Sequence, residues 1–232
     1  MRVIEVFYSL QGEGMLVGVP SVFVRLAGCP FRCRWCDTAY AWDYTAGEDL
    51  DPDQIVEQVS RWPCRFVVLT GGEPMMGRDL SIRPGLADLT QRLKALGKHI
   101  TIETSGALFV PDLVCDLMSI SPKLANSLPS RADVTGVHQA DRLNLETLRR
   151  LIHAYPYQLK FVAESSKDIA EVQRVLGGLG ELAPERVMLM PQATTTAELL
   201  SRSPAIADAC KQTGLRFGQR LHILLWDRQR GT

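Results

Sequence analysis

Short, nearly continuous apolar runs alternate with amphipathic stretches along most of this chain. The runs lie at 21–27 (SVFVRLA), 65–70 (RFVVLT), 98–103 (KHITIE), 114–120 (VCDLMSI), 157–163 (YQLKFVA), 186–190 (RVMLM) and 215–224 (LRFGQRLHIL). Runs without strict polar alternation suit parallel strands buried on both faces. Between them, 51–62 carries Ile55, Val56, Val59 and Trp62 on one helical face, with Asp51 placed to cap it and Pro52 in its first turn. Residues 79–96 hold Leu86, Leu89, Leu93 and Leu96 at helical spacing and stop at Gly97. Further helices are expected at 141–154, 166–177 and 195–213. Strands that alternate with helices predict an α/β fold with a parallel sheet. Six or seven such strands suit an incomplete barrel or an open sheet, in one domain spanning 1–232. The stretch 122–140 lacks periodicity and is expected to be a mobile loop. The tail 227–232 is expected to be frayed.

The chain has 232 residues, enough to bury a core without disulfides. Its formal net charge is zero, with both signs mixed along the sequence. Neither nucleic acid nor a membrane surface is therefore an expected partner. No apolar run is long enough to span a bilayer, and the N-terminal stretch lacks the pattern of a signal peptide. The expected compartment is the cytoplasm, where thiols stay reduced.

Polar motifs follow the predicted strands. The run at 21–27 leads into a cysteine loop, 65–70 into GGEP, 98–103 into ETSG, 114–120 into SPK and 186–190 into PQ. In parallel α/β folds the carboxyl ends of the strands share one face, where ligands bind. These motifs therefore point to one site.

The cysteine loop, GCPFRCRWCDT at 28–38, sets Cys29, Cys33 and Cys36 in a C-x3-C-x2-C spacing. A closed structural metal site needs four ligands. One reading is a zinc knuckle, with Cys64 or His99 as the fourth ligand. The other is a 4Fe-4S cluster on three thiolates, whose fourth iron is left open for a small molecule. Cys64, Cys115 and Cys210 sit singly among apolar neighbours and suit core packing. TGGEP at 70–74 follows the loop by about 35 residues. Gly71 and Gly72 permit close backbone approach, and Glu73 can accept from an ammonium group.

Through CPFRCRWC and TGGEP the chain resembles the radical S-adenosylmethionine superfamily. Within it, the chain resembles the 7-carboxy-7-deazaguanine synthase family. The motifs are EVFYSLQGEG (5–14), GVPSVFVRLAGC (18–29), CDTAYAW (36–42), TGGEP (70–74), IETSG (102–106), SPK (121–123), MPQ (190–192) and RLH (220–222). The resemblance implies a modified, incomplete TIM-like (β/α) barrel of the radical S-adenosylmethionine type. It implies conversion of 6-carboxy-5,6,7,8-tetrahydropterin to 7-carboxy-7-deazaguanine with loss of ammonia, a step towards queuosine and other 7-deazapurines. It further implies a 4Fe-4S cluster, S-adenosylmethionine, Mg2+, a reductant such as flavodoxin or ferredoxin, and a homodimer.

Roles carried over by this resemblance fall on individual residues. Cys29, Cys33 and Cys36 are the cluster ligands at the catalytic centre. Trp35, Gly71, Gly72, Glu73, Ser105, Ser121, Lys123 and Gln192 are implied to contact S-adenosylmethionine. Thr38 is implied as the magnesium ligand, with Asp37 its rival. Leu10, Gln11, Gly12, Glu13, Gly14, Arg25, Thr70 and His222 are implied to contact the pterin. An amide and a carboxylate in QGEG can read the donor and acceptor edge of its pyrimidine ring. Arg25, inside an apolar strand, needs a partner, and the substrate carboxylate is one. Two rival readings are an activating enzyme for glycyl-radical enzymes, acting on a protein, and a zinc-stabilised binding module without catalysis.

Overall fold

The computed structural model describes residues 1–129, 137–227 and 229–232. Its strands are β1 (Arg2–Leu10), β2 (Pro20–Leu26), β3 (Glu48–Asp49), β4 (Phe66–Gly71), β5 (His99–Thr104), β6 (Leu117–Ile120), β7 (Tyr157–Ala163), β8 (Val187–Pro191) and β9 (Arg216–Phe217). They form one sheet in the order β3-β1-β2-β4-β5-β6-β7-β8-β9. From β2 to β9 every neighbouring pair is parallel. β1 pairs antiparallel with β2 and β3. The sheet does not close on itself, which is the incomplete barrel the resemblance implies.

The helices are α1 (Pro52–Val59), α2 (Leu86–Ala95), α3 (Val137–Asp141), α4 (Leu145–Ala154), α5 (Ser166–Leu179), α6 (Thr196–Thr213) and α7 (Leu221–Trp226). Asp51 caps α1 in a reciprocal box with Gln54, and Pro52 stands in its first turn, as the sequence predicts. Thr195 caps α6.

Several elements differ from expectation: β3 was not predicted, α3 begins within the stretch expected to be an aperiodic loop, and the helix expected at 141–154 begins at Leu145. β1 was not among the predicted strands, because most of its residues are half-buried and Glu5 and Ser9 interrupt its apolar run. The predicted helix 79–96 begins only at Leu86, after Gly85 takes a left-handed φ of 79°. The run 215–224 is not one strand: β9 covers two residues, and 221–226 coils into α7. A short apolar run fits a buried strand or a buried helix turn equally well. Residues 130–136, the middle of the expected mobile loop, lie outside the described residues.

Successive side chains of a strand point to opposite faces, and here the two faces differ sharply. The outer face carries rows such as Val24, Leu69, Ile102 and Met118, held in register by the parallel ladder. These residues are fully buried against Ile55 and Val59 of α1, Leu89 and Leu93 of α2, Leu151 of α4 and Val172 of α5. That layer is the hydrophobic core. On the inner face, Arg25 stands beside Thr70, Glu103 beside Ser119, Ser119 beside Gln158, and Lys160 beside Met188.

Leu93 is fully buried in the outer layer and takes no part in the inner face. Leu93→Ala should lower unfolding free energy by about 2–5 kcal/mol, measured by denaturant titration. Ligand binding on the inner face should be unaltered in the folded variant.

Candidate active site

The inner face of the sheet and the loops at its carboxyl end enclose a cavity of about 580 Å³, a size typical of small-molecule sites. Its wall includes Cys29, Cys33 and Cys36, together with Gly71, Gly72 and Glu73 from the next strand end.

The cysteine loop follows β2 and is fastened on several sides. Gly28 N–H donates to Ala41 at 2.8 Å, and Cys29 N–H donates to Trp42 at 3.2 Å. Arg32 N–H donates to Nδ1 of the buried His138 at 3.0 Å, and the Arg32 guanidinium returns to the Cys29 carbonyl at 2.7 Å. Burial pushes all three thiols up, Cys33 to about 11. The Glu73 carboxylate adds to this at Cys29, and Asp37 adds to it at Cys33 and Cys36. Three thiolates would be unfavourable here without a positive charge among them.

Glu73 is 1% exposed, and its carboxylate is fully engaged by the chain. Oε1 accepts from the Thr104 hydroxyl at 2.8 Å and from Met75 N–H at 3.2 Å. Oε2 accepts from Ser105 N–H at 2.8 Å and from the Ser105 hydroxyl at 2.6 Å. The glycines before it serve the backbone. A Cβ on Gly71 would stand 2.1 Å from the Leu26 carbonyl oxygen, and one on Gly72 would stand 2.3 Å from that of Gly28. The turn thus packs directly against the end of β2 and the start of the cysteine loop.

Trp35 donates from Nε1 to the Asn126 carbonyl at 3.1 Å, and Lys123 Nζ lies 5.5 Å above its ring. Lys123 also donates to the Ser121 hydroxyl at 3.1 Å. Thr38 borders the cavity, its hydroxyl 3.7 Å from Cys36 Sγ.

Leu10, Gln11, Gly12 and Glu13 line the same cavity, as do Arg25, Thr70 and His222. Glu13 receives Lys160 Nζ at 2.8 Å and Arg220 Nε at 2.9 Å. Burial works against its charge, but Lys160 and Arg220 outweigh it and hold the carboxyl well below the usual carboxylate range. Gln11 Nε2 donates to Glu103 Oε1 at 3.3 Å, and the Thr70 hydroxyl donates to Glu103 Oε2 at 3.1 Å. Arg220 also pairs with Asp37. A Cβ on Gly12 would stand 2.2 Å from His222 Nδ1, so that glycine lets the imidazole lie against the backbone.

Two predicted contacts are not brought to the cavity. Gln192 lies outside its wall, buried, with its carbonyl oxygen and side-chain amide both engaged by Arg202. Gly14 lies outside it too; its φ of 78° and the nearby Gln158 amide give it a structural reason to be glycine. Arg25 finds its partner within the protein, donating from Nε to Glu5 at 2.6 Å. Tyr40 donates to the same carboxylate oxygen at 3.0 Å. The tail reaches the cavity, where Asp227 and residues 229–232 border it and the Arg230 guanidinium lies 3.8 Å from the Tyr40 ring centroid.

Comparison with known proteins agrees with this geometry. The Radical SAM superfamily model matches residues 24–128. The 7-carboxy-7-deazaguanine synthase of Halobacterium salinarum is 41% identical, over 96% of this chain and 89% of its own. That of Pyrobaculum aerophilum is 38% identical, over 100% of this chain and 97% of its own. The chain belongs to the 7-carboxy-7-deazaguanine synthase family. The crystal structure of QueE from Escherichia coli superposes with a TM-score of 0.71 at 25% identity, covering 95% of this chain and 94% of that one. These relatives do not favour an activating enzyme for a protein substrate or a non-catalytic binding module.

Membership of a radical SAM family implies a 4Fe-4S cluster and S-adenosylmethionine, and the residues present fit both. The three thiols share one wall of the cavity, and their burial calls for a compensating positive charge. Neither of the fourth ligands considered for a zinc site is near. Cys64 donates to the Pro20 and Phe66 carbonyls at the amino end of the sheet. His99 opens β5 at that same end, its ring tilted against Phe66. Among the described residues, no helix is long and apolar enough to cross a membrane.

Sequence reasoning left out Glu103, Lys160 and Arg220. The signal was available in the first two, since each is a charged residue inside an apolar strand, as Arg25 is. Arg220 stood in a run read as a strand.

Cys33→Ala should fail to retain the cluster after anaerobic reconstitution, read as loss of iron, sulfide and visible absorption. Cys64→Ala should retain all three. Loss of the cluster in Cys64→Ala would restore the four-thiolate reading.

Proposed function

We propose that this enzyme converts 6-carboxy-5,6,7,8-tetrahydropterin to 7-carboxy-7-deazaguanine and ammonia. The observation that carries the reading is that the cysteine loop, the GGEP turn and the QGE loop all line one cavity. In this reading Cys29, Cys33 and Cys36 hold the cluster. Glu73, its carboxylate already fixed by Ser105 and Thr104, stands by the amino end of the cofactor. Trp35, Ser105, Ser121 and Lys123 complete that side.

Held among Trp35, Glu73, Ser105, Ser121 and Lys123 beside a cluster on Cys29, Cys33 and Cys36, S-adenosylmethionine would supply a carbon radical able to take a hydrogen atom from C6 of the substrate. The protein's own task is to hold C6 in reach and keep water and other hydrogen donors away. Gln11 and Glu13 meet the pyrimidine edge. Arg25 has its Nε committed to Glu5 and keeps its remaining donors for the carboxylate, with His222 lining the same cavity. The substrate loses only ammonia, so the overall change needs no net oxidant and the cofactor acts catalytically.

Magnesium belongs to the same proposal. The Asp37 carboxylate is already paired with Arg220, which favours Thr38 as the oxygen ligand. Magnesium keeps most of its waters and takes few protein ligands. A reductant such as flavodoxin or ferredoxin, a homodimer and a cytoplasmic setting complete the picture.

The test is anaerobic. Reconstituted protein is mixed with S-adenosylmethionine, a reductant, magnesium and 6-carboxytetrahydropterin. Mass spectrometry should detect 7-carboxy-7-deazaguanine. If only 5′-deoxyadenosine forms, the substrate assignment falls and the radical chemistry stands. In the same assay Thr38→Val should keep cluster and cofactor cleavage but lose its response to added magnesium.

A further inference from the structure

Lys160 has no role in the account above, yet it sits at the centre of the polar wall. It projects from β7 on the inner face, and its side chain is 3% exposed. Nζ lies 2.8 Å from Glu13 Oε2 and 3.3 Å from Glu103 Oε1. The two carboxylates come from opposite parts of the chain, Glu13 from the loop after β1 and Glu103 from β5. Their other partners are unequal. Glu13 also has Arg220, whereas the other partners of Glu103 among the described residues are the neutral donors of Gln11 and Thr70. Among the described residues, Lys160 is therefore the only cation paired with Glu103, and it shares Glu13 with Arg220.

Two carboxylates this close in a buried place do not both stay ionised without a cation between them. A protonated carboxyl offers a donor where the cavity otherwise presents acceptors. The 2-amino-4-oxopyrimidine ring of the proposed substrate has adjacent N–H donors on one edge, and it needs acceptors.

We propose that Lys160 is a positioning residue: its buried ammonium holds Glu13 and Glu103 together as paired acceptors for the donor edge of the pyrimidine ring. It touches neither the reacting carbon nor the cofactor. This rests on the function proposed above and assigns the means by which that site selects its ring.

The other charged groups around the pair leave the prediction specific. Arg220 faces Glu13 and Asp37, and His222 lies 3.9 Å from Asp37. Arg25 on β2 is paired with Glu5. None of these ion pairs includes Glu103. Removing the Lys160 charge should thus place the extra proton on Glu103, and raising the pH should remove it again.

The experiment compares wild type with Lys160→Met and Lys160→Arg. The probe is 7-carboxy-7-deazaguanine, which keeps the same pyrimidine ring. Its binding is measured by calorimetry between about pH 6 and pH 8.5, with KM and kcat for 6-carboxytetrahydropterin over the same range. Cluster absorption and the change in the cluster's electron paramagnetic resonance signal on adding S-adenosylmethionine report the rest of the site. Lys160→Met should weaken binding at least about tenfold near neutral pH, with recovery as pH rises. Its KM should rise more than its kcat falls, and the resonance signal should be unchanged. Lys160→Arg should restore much of the affinity and the flat pH profile.

Affinity within about twofold of wild type with a flat pH profile would overturn the proposal. So would a fall in kcat alone, which would make Lys160 a proton donor, or a joint loss of cluster and cofactor signals, which would make its role one of folding. If wild type itself forms no product from the pterin, the substrate reading fails instead, and the binding data show that separately.

Discussion

One sheet with two unlike faces underlies everything else in this molecule. In the parallel part of the sheet, β2, β4, β5, β6, β7 and β8 are buried on both sides, so each must satisfy the helices with one set of alternate residues and the cavity with the other. The outer set is Val24, Leu69, Ile102 and their neighbours in register. It supplies the apolar burial that stabilises the fold. Freed from that duty, the inner set carries Arg25, Thr70, Glu103, Ser119 and Lys160. A one-residue slip in any strand would exchange the two sets and place charge among the helices. Register, core and site are therefore fixed together.

Buried charges on the inner face are costly to desolvate, and ion pairs in such places seldom add net stability. The arrangement makes sense as preparation for a ligand. Glu13, Glu103 and Asp37 face Lys160 and Arg220, so the network is short of one positive charge when His222 is neutral. Donor groups of a bound ring and a nearby divalent cation are the kinds of partner that complete it. A polar wall already held in place also reorganises little when a reactive species forms beside it.

Much of this was legible in the sequence. The cysteine spacing and the GGEP turn announce themselves because their chemistry needs those residues contiguous in the chain. The strands leading to them are legible through continuous apolar runs. The ion network was harder, because its members lie far apart in sequence and meet only through strand register. Arg25 drew notice as a charge inside SVFVRLA; Lys160 inside YQLKFVA and Glu103 at the end of KHITIE carry the same signal. Gln192 shows the opposite case. MPQ matches a motif, but the side chain is taken by Arg202 on α6, and the residue is not among those that line the cavity. A local match fixes where the backbone goes more firmly than where a side chain points.

The loop QGEG owes its composition to the openness of the sheet. A barrel that stops short leaves a gap between its first and last strands, and the cavity behind that gap would be open to water. Here the loop after β1 and the segment leading into α7 meet across it. Leu221 N–H donates to the Gly12 carbonyl at 2.8 Å, and Arg220 reaches Glu13. Lys160 ties the same glutamate to β7. His222 lies where a side chain on Gly12 would be, so only glycine lets the two segments approach this closely. The start and the end of the chain thus close with polar contacts what the strands leave open. Because those contacts include Glu13, the closure and the proposed ligand-binding wall share a residue, so neither can change without the other.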